Sequence, residues 1–410
     1  MSESRQAFQA ITDAPSGVAK SRAKLLLIDG GNLEDFPSGG VLTDFRHMVK
    51  VLGSQVAVVG AAVPGCPVGR WSERVLFGHH IQYFSFWHTP RRPNDRPLIP
   101  RRIQVLLHLS RFQTAIQASG IDAAYVSSPE VLLAVQSWKF SQLIYRFAGL
   151  TNPISIARFR WARLLDWMFR PVMNRALRSA SHILTTADDA TVRKFIEEFS
   201  GREWIQRVRS STTYFDEDVF HPQPKAQARA RMETVGSPIV LSLGRLNRAK
   251  GWPLLLTAFS HFRRIHPDAM LYFVGDGEDR ASVLQFATSL GVESSIRLTG
   301  QVAPDAVSAF LNCADLVVSC SKFEGWPTAV VESVACGIPV VSTSVSGVSS
   351  LIVDGVTGFV VPTRDPGAVC AAMERCISLR GYEDICQQVA NRYTISVLKR
   401  EFQRMVPELK

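Results

Sequence analysis

A chain of 410 residues is too long for one ordinary hydrophobic core, and at about 150 residues per domain it divides most simply into two. With 46% hydrophobic, 20% charged and 9% aromatic residues it has the apolar content of a globular protein, which excludes a chain disordered throughout. A formal charge of +10 favours phosphate-bearing small molecules, anionic lipid or nucleic acid as partners, and no nucleic-acid recognition motif accompanies it.

Residues 1–22 are polar and lack the apolar run of a signal peptide, so they read as a flexible N-terminus. Lys24 to Ile28 is a short apolar run halted by Asp29-Gly30-Gly31-Asn32, the pattern of a buried parallel strand before a loop. Ser38-Gly39-Gly40 opens a helix with Val41, Phe45, Met48, Val49 and Leu52 at helical spacing, and Gln55 to Gly60 supplies the next strand. Ala123 to Ser127, Gln142 to Arg146 and His182 to Thr186 are further strands, so residues 23–220 form an α/β domain. Within it, Ala157 to Arg178 sets Trp161, Leu164, Leu165, Met168 and Val172 on one face and Arg160, Arg163, Arg170 and Arg178 on another, with Pro171 expected to break it into two helices. Such a stretch either packs on the sheet or lies on an anionic membrane surface. The segment Pro90 to Arg102 is likewise either a solvated loop or a contact for a lipid-phosphate acceptor.

The pattern lapses at Phe220-His221-Pro222-Gln223-Pro224 and the polar Lys225 to Arg231, which marks residues 221–236 as a linker. It restarts with the strand Pro238 to Leu243, the amphipathic helix Trp252 to Ile265 and the strand Met270 to Val274. Three helix–strand units follow: Ser282 to Leu290 before Ile296 to Leu298, Ala306 to Leu311 before Leu316 to Ser319, and Thr328 to Ala335 before Pro339 to Ser342. Residues 237–385 are therefore a second α/β domain, a parallel sheet whose ligands sit beyond the carboxyl ends of its strands. Residues 386–410 are expected to be a helical segment that packs back on the first domain. No stretch approaches the roughly 20 apolar residues of a spanning helix, so the protein is expected to be soluble or membrane-peripheral; the expected place is the cytoplasm or the inner face of the membrane. The seven cysteines are scattered, with no CxxC and no histidine at ligand spacing, and read as reduced thiols.

Most of the chemistry lies in Ser321 to Glu332. With Thr328 as N-cap, Gly337 as the C′ residue and Pro339 barring continuation, a short helix begins near Pro327. Its first turn offers N–H groups and partial positive charge to an anion such as a diphosphate, which makes Gly325, Trp326, Pro327 and Thr328 candidate substrate contacts. Glu324 in the loop and Glu332 on the second turn can then face one pocket as acceptors for sugar hydroxyls. The alternative is a solvated loop charge and an exposed helix residue. Gly244-Arg245-Leu246-Asn247-Arg248-Ala249-Lys250-Gly251 follows its strand directly and sets cations in a glycine-flanked loop, suited to phosphate oxygens. A plain basic surface loop is the alternative there.

Taken together, these residues closely resemble the retaining glycosyltransferases of family four, whose GT-B fold has two Rossmann-like domains with parallel sheets facing a central cleft. The match runs from about Ile239 to Pro362. It takes in the Gly244-Arg245 to Lys250-Gly251 stretch, Val274-Gly275-Asp276-Gly277, Leu298-Thr299-Gly300, the Glu324 and Glu332 pair, Ala335-Cys336-Gly337-Ile338-Pro339, and Asp354-Gly355-Val356-Thr357-Gly358. The first half matches only loosely, through Ser38-Gly39-Gly40 and Phe215-Asp216 to Phe220. The resemblance implies transfer of a hexose from a nucleotide-sugar donor to a polysaccharide or lipid-linked acceptor of the cell envelope, with retention, no metal and no cofactor. It implies Arg245 and Lys250 on the donor diphosphate, Glu324 on the transferred sugar and Glu332 on the nucleotide ribose, with Gly39 and Gly40 approaching the phosphates from the opposite domain. The two cations and the helix terminus would neutralise charge as Mg²⁺ does elsewhere, so Asp276, Glu278 and Asp279 are not read as a metal site.

Two departures stand out. Where the family commonly has a glycine pair and then a glutamate, this chain has Ser346-Gly347-Val348-Ser349-Ser350, and the functional histidine after a first-domain strand is missing from Leu143 to Gly149. His79, His80, His88 and His108 are candidate substitutes, each otherwise a plain surface or core histidine. The competing readings are a nucleotide-sugar epimerase of the same fold, and an inactive GT-B scaffold at the membrane that draws on the two departures. The intact Arg245, Lys250, Glu324 and Glu332 favour the transferase.

Overall fold

The computed structural model describes residues 22–33, 40–88, 100–147, 166–187, 192–193, 196–197 and 202–410. The first half is built on β1 (Leu25–Ile28), β2 (Val56–Ala61), β3 (Trp71–Leu76), β4 (His79–Trp87), β5 (Ala123–Val126), β6 (Gln142–Phe147), β7 (His182–Thr185) and β8 (Val208–Ser210), in the order β3-β4-β2-β1-β5-β6-β7-β8. Every residue of β1 is buried, with Leu25 and Leu27 in one core layer and Leu26 and Ile28 in the other. A strand that is apolar on both sides must be covered on both faces, as parallel sheets are.

The sheet is not parallel throughout, as the sequence suggested. β3 and β4 form an antiparallel hairpin in which Leu76 pairs with His79 across the two-residue turn Phe77-Gly78, at φ 51° and 78°. A turn of this hand suits the twist of the strands but usually announces itself as Asn-Gly or Asp-Gly, and Phe-Gly sends no such signal. Pro171 also behaves differently from expectation. One helix, Asp166–Ser179, runs through it, because proline deletes a single ladder bond while Met173, Ala176 and Leu177 anchor the following turns in the core. Residues 157–165 of that stretch, and 90–99 of the Pro- and Arg-rich segment, lie outside the described residues.

The second sheet contains β9 (Ile239–Leu243), β10 (Met270–Val274), β11 (Ile296–Gly300), β12 (Leu316–Ser319), β13 (Val340–Thr343) and β14 (Gly358–Val361), all parallel, in the order β11-β10-β9-β12-β13-β14. The chain builds outward from β9 in one direction, then returns to its other side with β12. That reversal leaves a crevice at the carboxyl ends of β9 and β12.

Two junctions join the halves. The polar stretch read as a patternless linker holds a helix, Lys225–Met232. Charge rather than an apolar stripe fixes it: Lys225 and Arg229 reach Asp315 at 3.0 and 2.6 Å, and Asp315 also accepts the Ile239 N–H at 2.7 Å. Near the end of the chain, the helix Glu383–Ala390 still belongs to the second half, with Gln387 donating to the Ala335 carbonyl at 2.7 Å. The return comes later than residue 386. Phe215 pairs with the crossing strand by accepting from Ile395 at 3.0 Å and donating to Tyr393 at 2.9 Å. Thr394 then caps the helix Ile395–Met405, which sends Ile395, Leu398 and Phe402 into the first domain's core. Among the described residues no helix is long and apolar enough to cross a membrane, and all seven cysteines are free and buried.

Candidate functional site

The loops leaving β9 and β12 face each other across the crevice, since those strands are neighbours. After β9 the chain turns at Gly244, φ 125°, exposes Arg245, and closes through Lys250 to Gly251, φ 73°. The Asn247 side chain accepts the Lys250 N–H at 3.1 Å and shapes this turn. Gly275 and Gly277, after β10, press against it. A side chain at 275 would run into the Gly244 backbone and one at 277 into Leu246, and the Leu246 N–H donates to the Asp276 carbonyl at 3.0 Å. The carboxylates there serve local structure, Asp276 accepting from the Gly277 N–H and Asp279 from the Trp252 indole.

On the other side of the crevice stands the helix Thr328–Ala335. Its N-cap is Pro327 and Thr328 is its first helical residue, contrary to the sequence reading. The Pro327 carbonyl already accepts the Val330 N–H at 2.9 Å, so the ladder starts one residue earlier and no side chain caps it. The Thr328 and Ala329 N–H groups, which have no acceptor among the described residues, therefore remain available to an outside one. At the other end Gly337, φ 73°, donates to Val334 at 2.9 Å and Ile338 donates to Ser333 at 3.0 Å, a left-handed closure that glycine makes cheap.

A cavity of about 300 Å³ fills the crevice, and Arg245, Lys250, Glu324, Trp326, Pro327, Thr328 and Glu332 all line it. The four charged residues nominated from the sequence thus meet around one space. Lys250 Nζ lies 2.5 Å from Glu324 Oε1, and the Ser321 hydroxyl donates to the same oxygen at 2.6 Å. Glu332 has no hydrogen-bond donor among the described residues, and burial pushes its carboxyl up to about 8. Arg245 is exposed at the rim without an ion-pair partner among the described residues. Trp326 is buried beneath Gly347, where a side chain would strike the indole, and its ring lies 5.3 Å from that of Tyr393.

Gly325 is not part of the lining. A Cβ there would come 2.8 Å from the Thr186 carbonyl of the first domain, so Gly325 sits where the two halves come together. Gly40 opens the first-domain helix Gly40–Leu52, and Gly39 lies outside the described residues. At the end of β6, Arg146 is buried in an ion pair with Asp44 of that helix, and burial pulls its guanidinium down to about 10.

The candidate histidines are dispersed. His79 Nε2 lies 3.1 Å from the Lys50 carbonyl, His80 pairs with Glu73 at 2.6 Å on the hairpin, and His108 is exposed on the helix Arg101–Arg111. His88 lines a larger cavity of about 570 Å³ beyond β2 and β4, together with residues 62–67. Among the described residues that space is lined by no carboxylate, lysine or arginine, whereas four charged residues line the smaller one. Ser321, which begins the motif three residues before Glu324, has a contact to that carboxylate that residue type alone did not single out, and Arg364, which reaches the Ser321 and Cys320 carbonyls, has no local cue.

Residues 225–392 match the model of a family described as Glycosyl transferases group 1. Over 222 residues the chain is 30% identical to the GDP-mannose-dependent alpha-(1-6)-phosphatidylinositol monomannoside mannosyltransferase of Mycolicibacterium smegmatis, covering 51% of this chain and 57% of that protein. Over 151 residues it is 33% identical to the lipopolysaccharide core biosynthesis glycosyltransferase LpsE of Rhizobium meliloti, covering 37% and 43%. The chain thus spans about half the length of these curated relatives. Its fold is shared with the crystal structure of HepE from Anabaena in complex with UDP and glucose, at a TM-score of 0.70 and 21% identity over 94% of this chain and 99% of that one.

Proposed function

We propose that this chain, which has the GT-B fold and carries a glycosyl transferases group 1 domain over residues 225–392, transfers a hexose from a nucleotide-diphosphate donor to a glycan or lipid-linked acceptor. The observation that carries the reading is the meeting of Arg245, Lys250, Glu324 and Glu332 around one cavity at a strand switch point, beside a helix N-terminus. In the proposed complex the diphosphate lies against Arg245, Lys250 and the first turn of the Thr328–Ala335 helix. As the bond to the sugar breaks, negative charge grows on the leaving nucleoside diphosphate, and preorganised cations and N–H dipoles stabilise it without a divalent metal. Glu324 accepts from a hydroxyl of the transferred sugar and Glu332 from the ribose, while Gly39 and Gly40 approach the phosphates from the first domain. The acceptor enters from that domain, and closure of the cleft keeps water from the donor. Retention of anomeric configuration follows the resemblance to family four. The full set of charged residues around the cavity weighs against an inactive scaffold.

The lipopolysaccharide and phosphatidylinositol-mannoside enzymes among its relatives support a role in cell-envelope glycans. A peripheral seat on the cytoplasmic face of the membrane is part of this reading. Its support is a basic, apolar-studded surface of the first domain: Ile103 and Leu107 are 46% and 58% exposed beside Arg102 and Arg111, and Val172 is 46% exposed beside Arg175. The test is donor turnover by purified protein with a membrane-lipid extract, EDTA and a panel of UDP-, GDP- and dTDP-sugars. Release of nucleoside diphosphate from one donor, abolished in Glu324→Ala and Arg245→Ala, supports the reading; no release and no donor binding overturn it.

A further inference from the structure

We infer that Ser321 is a positioning residue that orients the Glu324 carboxylate, and that Arg364 and Thr343 hold Ser321 in place for that purpose; the inference rests on the transferase reading above. The Ser321 side chain is 2% exposed and gives its hydroxyl proton to Glu324 Oε1 at 2.6 Å, the length of a bond to a charged acceptor. Lys250 ends on the same oxygen at 2.5 Å, which leaves Oε2 without a donor among the described residues, on a side chain that lines the cavity. In the proposed complex Lys250 turns toward the diphosphate. Ser321 is then the side chain that keeps the carboxylate plane from rotating, with Oε2 presented to the sugar.

The backbone around Ser321 is clamped from three directions. The Thr343 hydroxyl, at the end of β13, donates to the Ser321 carbonyl at 2.8 Å. The Arg364 guanidinium reaches in from the loop after β14, giving one nitrogen to the Ser321 carbonyl and the other to that of Cys320, both at 2.9 Å. From the β9 side, the Ala249 carbonyl accepts the Lys322 N–H at 2.8 Å, and Gly251 packs so closely under the Cys320 carbonyl that any side chain there would collide with it. An ordinary surface loop has no use for a forked cation on two successive carbonyls. Here the clamp ties the segment bearing Glu324 to the loop bearing Lys250, so that carboxylate and cation keep a fixed spacing. Small errors in the placement of a group that acts on substrate cost rate more than affinity.

The test compares wild type, Ser321→Ala, Arg364→Ala and Arg364→Lys in the donor-turnover assay, with nucleoside diphosphate binding followed by calorimetry. In Ser321→Ala we expect kcat to fall by about 30-fold while nucleoside diphosphate affinity stays within about threefold, since the phosphate contacts remain. Arg364→Ala should lower kcat by about tenfold in the same pattern, and Arg364→Lys should not restore it, because an ammonium cannot bridge two carbonyls as a planar fork does. A Ser321→Ala enzyme with kcat within about twofold of wild type overturns the inference. So does one that loses affinity and kcat together, or a lysine at 364 that restores full rate. A wild-type protein that turns over no donor overturns the transferase reading itself and this inference with it.

Discussion

Replacing Glu332 by glutamine should stabilise the donor-free protein above neutrality and leave it nearly unchanged in acid. The carboxyl of Glu332 is pushed by burial from 4.5 to about 8, and no donor among the described residues offsets the loss of water. A group whose folded-state value is raised contributes its full stability below the unfolded value and loses it as pH climbs to the folded one, here between about 4.5 and 8. The loss runs at ~1.4 kcal/mol per pH unit, or roughly 5 kcal/mol over the whole interval. Because Glu332 lines a cavity and is only half-buried we take about half, ~2 kcal/mol at pH 8. Glutamine has the same shape and never ionises. For a domain of this size ~2 kcal/mol corresponds to roughly 4–8 °C. Scanning calorimetry of both proteins at about pH 5 and pH 8 should therefore show near-equal Tm in acid and a higher Tm for the variant at the alkaline end. A difference that is the same at both pH values, or a variant that melts lower at pH 8, would refute the burial argument. The same charge should matter to the ligand: ribose hydroxyls donate to the ionised carboxylate, so nucleotide binding by wild type should tighten as pH approaches 8 and binding by the variant should be weaker and flat.

Arg245→Ala should weaken nucleoside diphosphate binding by about 10- to 100-fold, the value of a charge-assisted hydrogen bond of ~1.5–3 kcal/mol, with melting unchanged because the side chain is exposed; unaltered calorimetric affinity would remove Arg245 from the site. Gly347→Ala should lower Tm, since residue 347 sits at φ 80° and a methyl group there would press into the Trp326 ring. A thermal-shift loss of roughly 4–10 °C is expected from ~2–3 kcal/mol of strain, and a wild-type melting curve would show that the ring moves aside freely. Asp315→Asn should destabilise by about 1–3 kcal/mol in urea at neutral pH. Burial alone would raise the Asp315 carboxyl, but the Ile239 N–H and the Lys225 and Arg229 cations outweigh it and hold it below the ordinary 3.8. Its contribution is thus present above 3.8 and lost as pH falls through the lower folded value, so the gap between wild type and variant should close in strong acid and persist at pH 6; the opposite trend would contradict the pairing.

Much of the secondary structure was legible because it is written locally. The helix Trp252–Ile265 has the bounds that apolar spacing suggests, Thr328–Ala335 departs only in its capping residue, and β1, β9, β10 and β12 lie on their apolar runs within a residue or so. What escaped was held by partners remote in sequence or by conformations without a compositional cue. The Phe77-Gly78 hairpin lacks the usual turn pair, the Lys225–Met232 helix is pinned by Asp315 some 80 or more residues on rather than by a stripe, and Pro171 is carried by core contacts of the turns after it.

Residue type and near spacing were enough to single out the chemistry: Arg245 and Lys250 in a glycine-flanked loop after one strand, and two carboxylates around a helix start after another. Those are properties of residue type and near spacing, and they survive any arrangement of the sheet. Only the tertiary structure decided that the two loops share a cavity, because β12 crosses back to lie beside β9 and so reverses the strand order. It also decided which oxygen of Glu324 is held, through a serine three residues away whose carbonyl is gripped by Arg364 from the far side of β13. Neighbours of that kind are chosen by crossover connections spanning dozens of residues, and no local pattern encodes them.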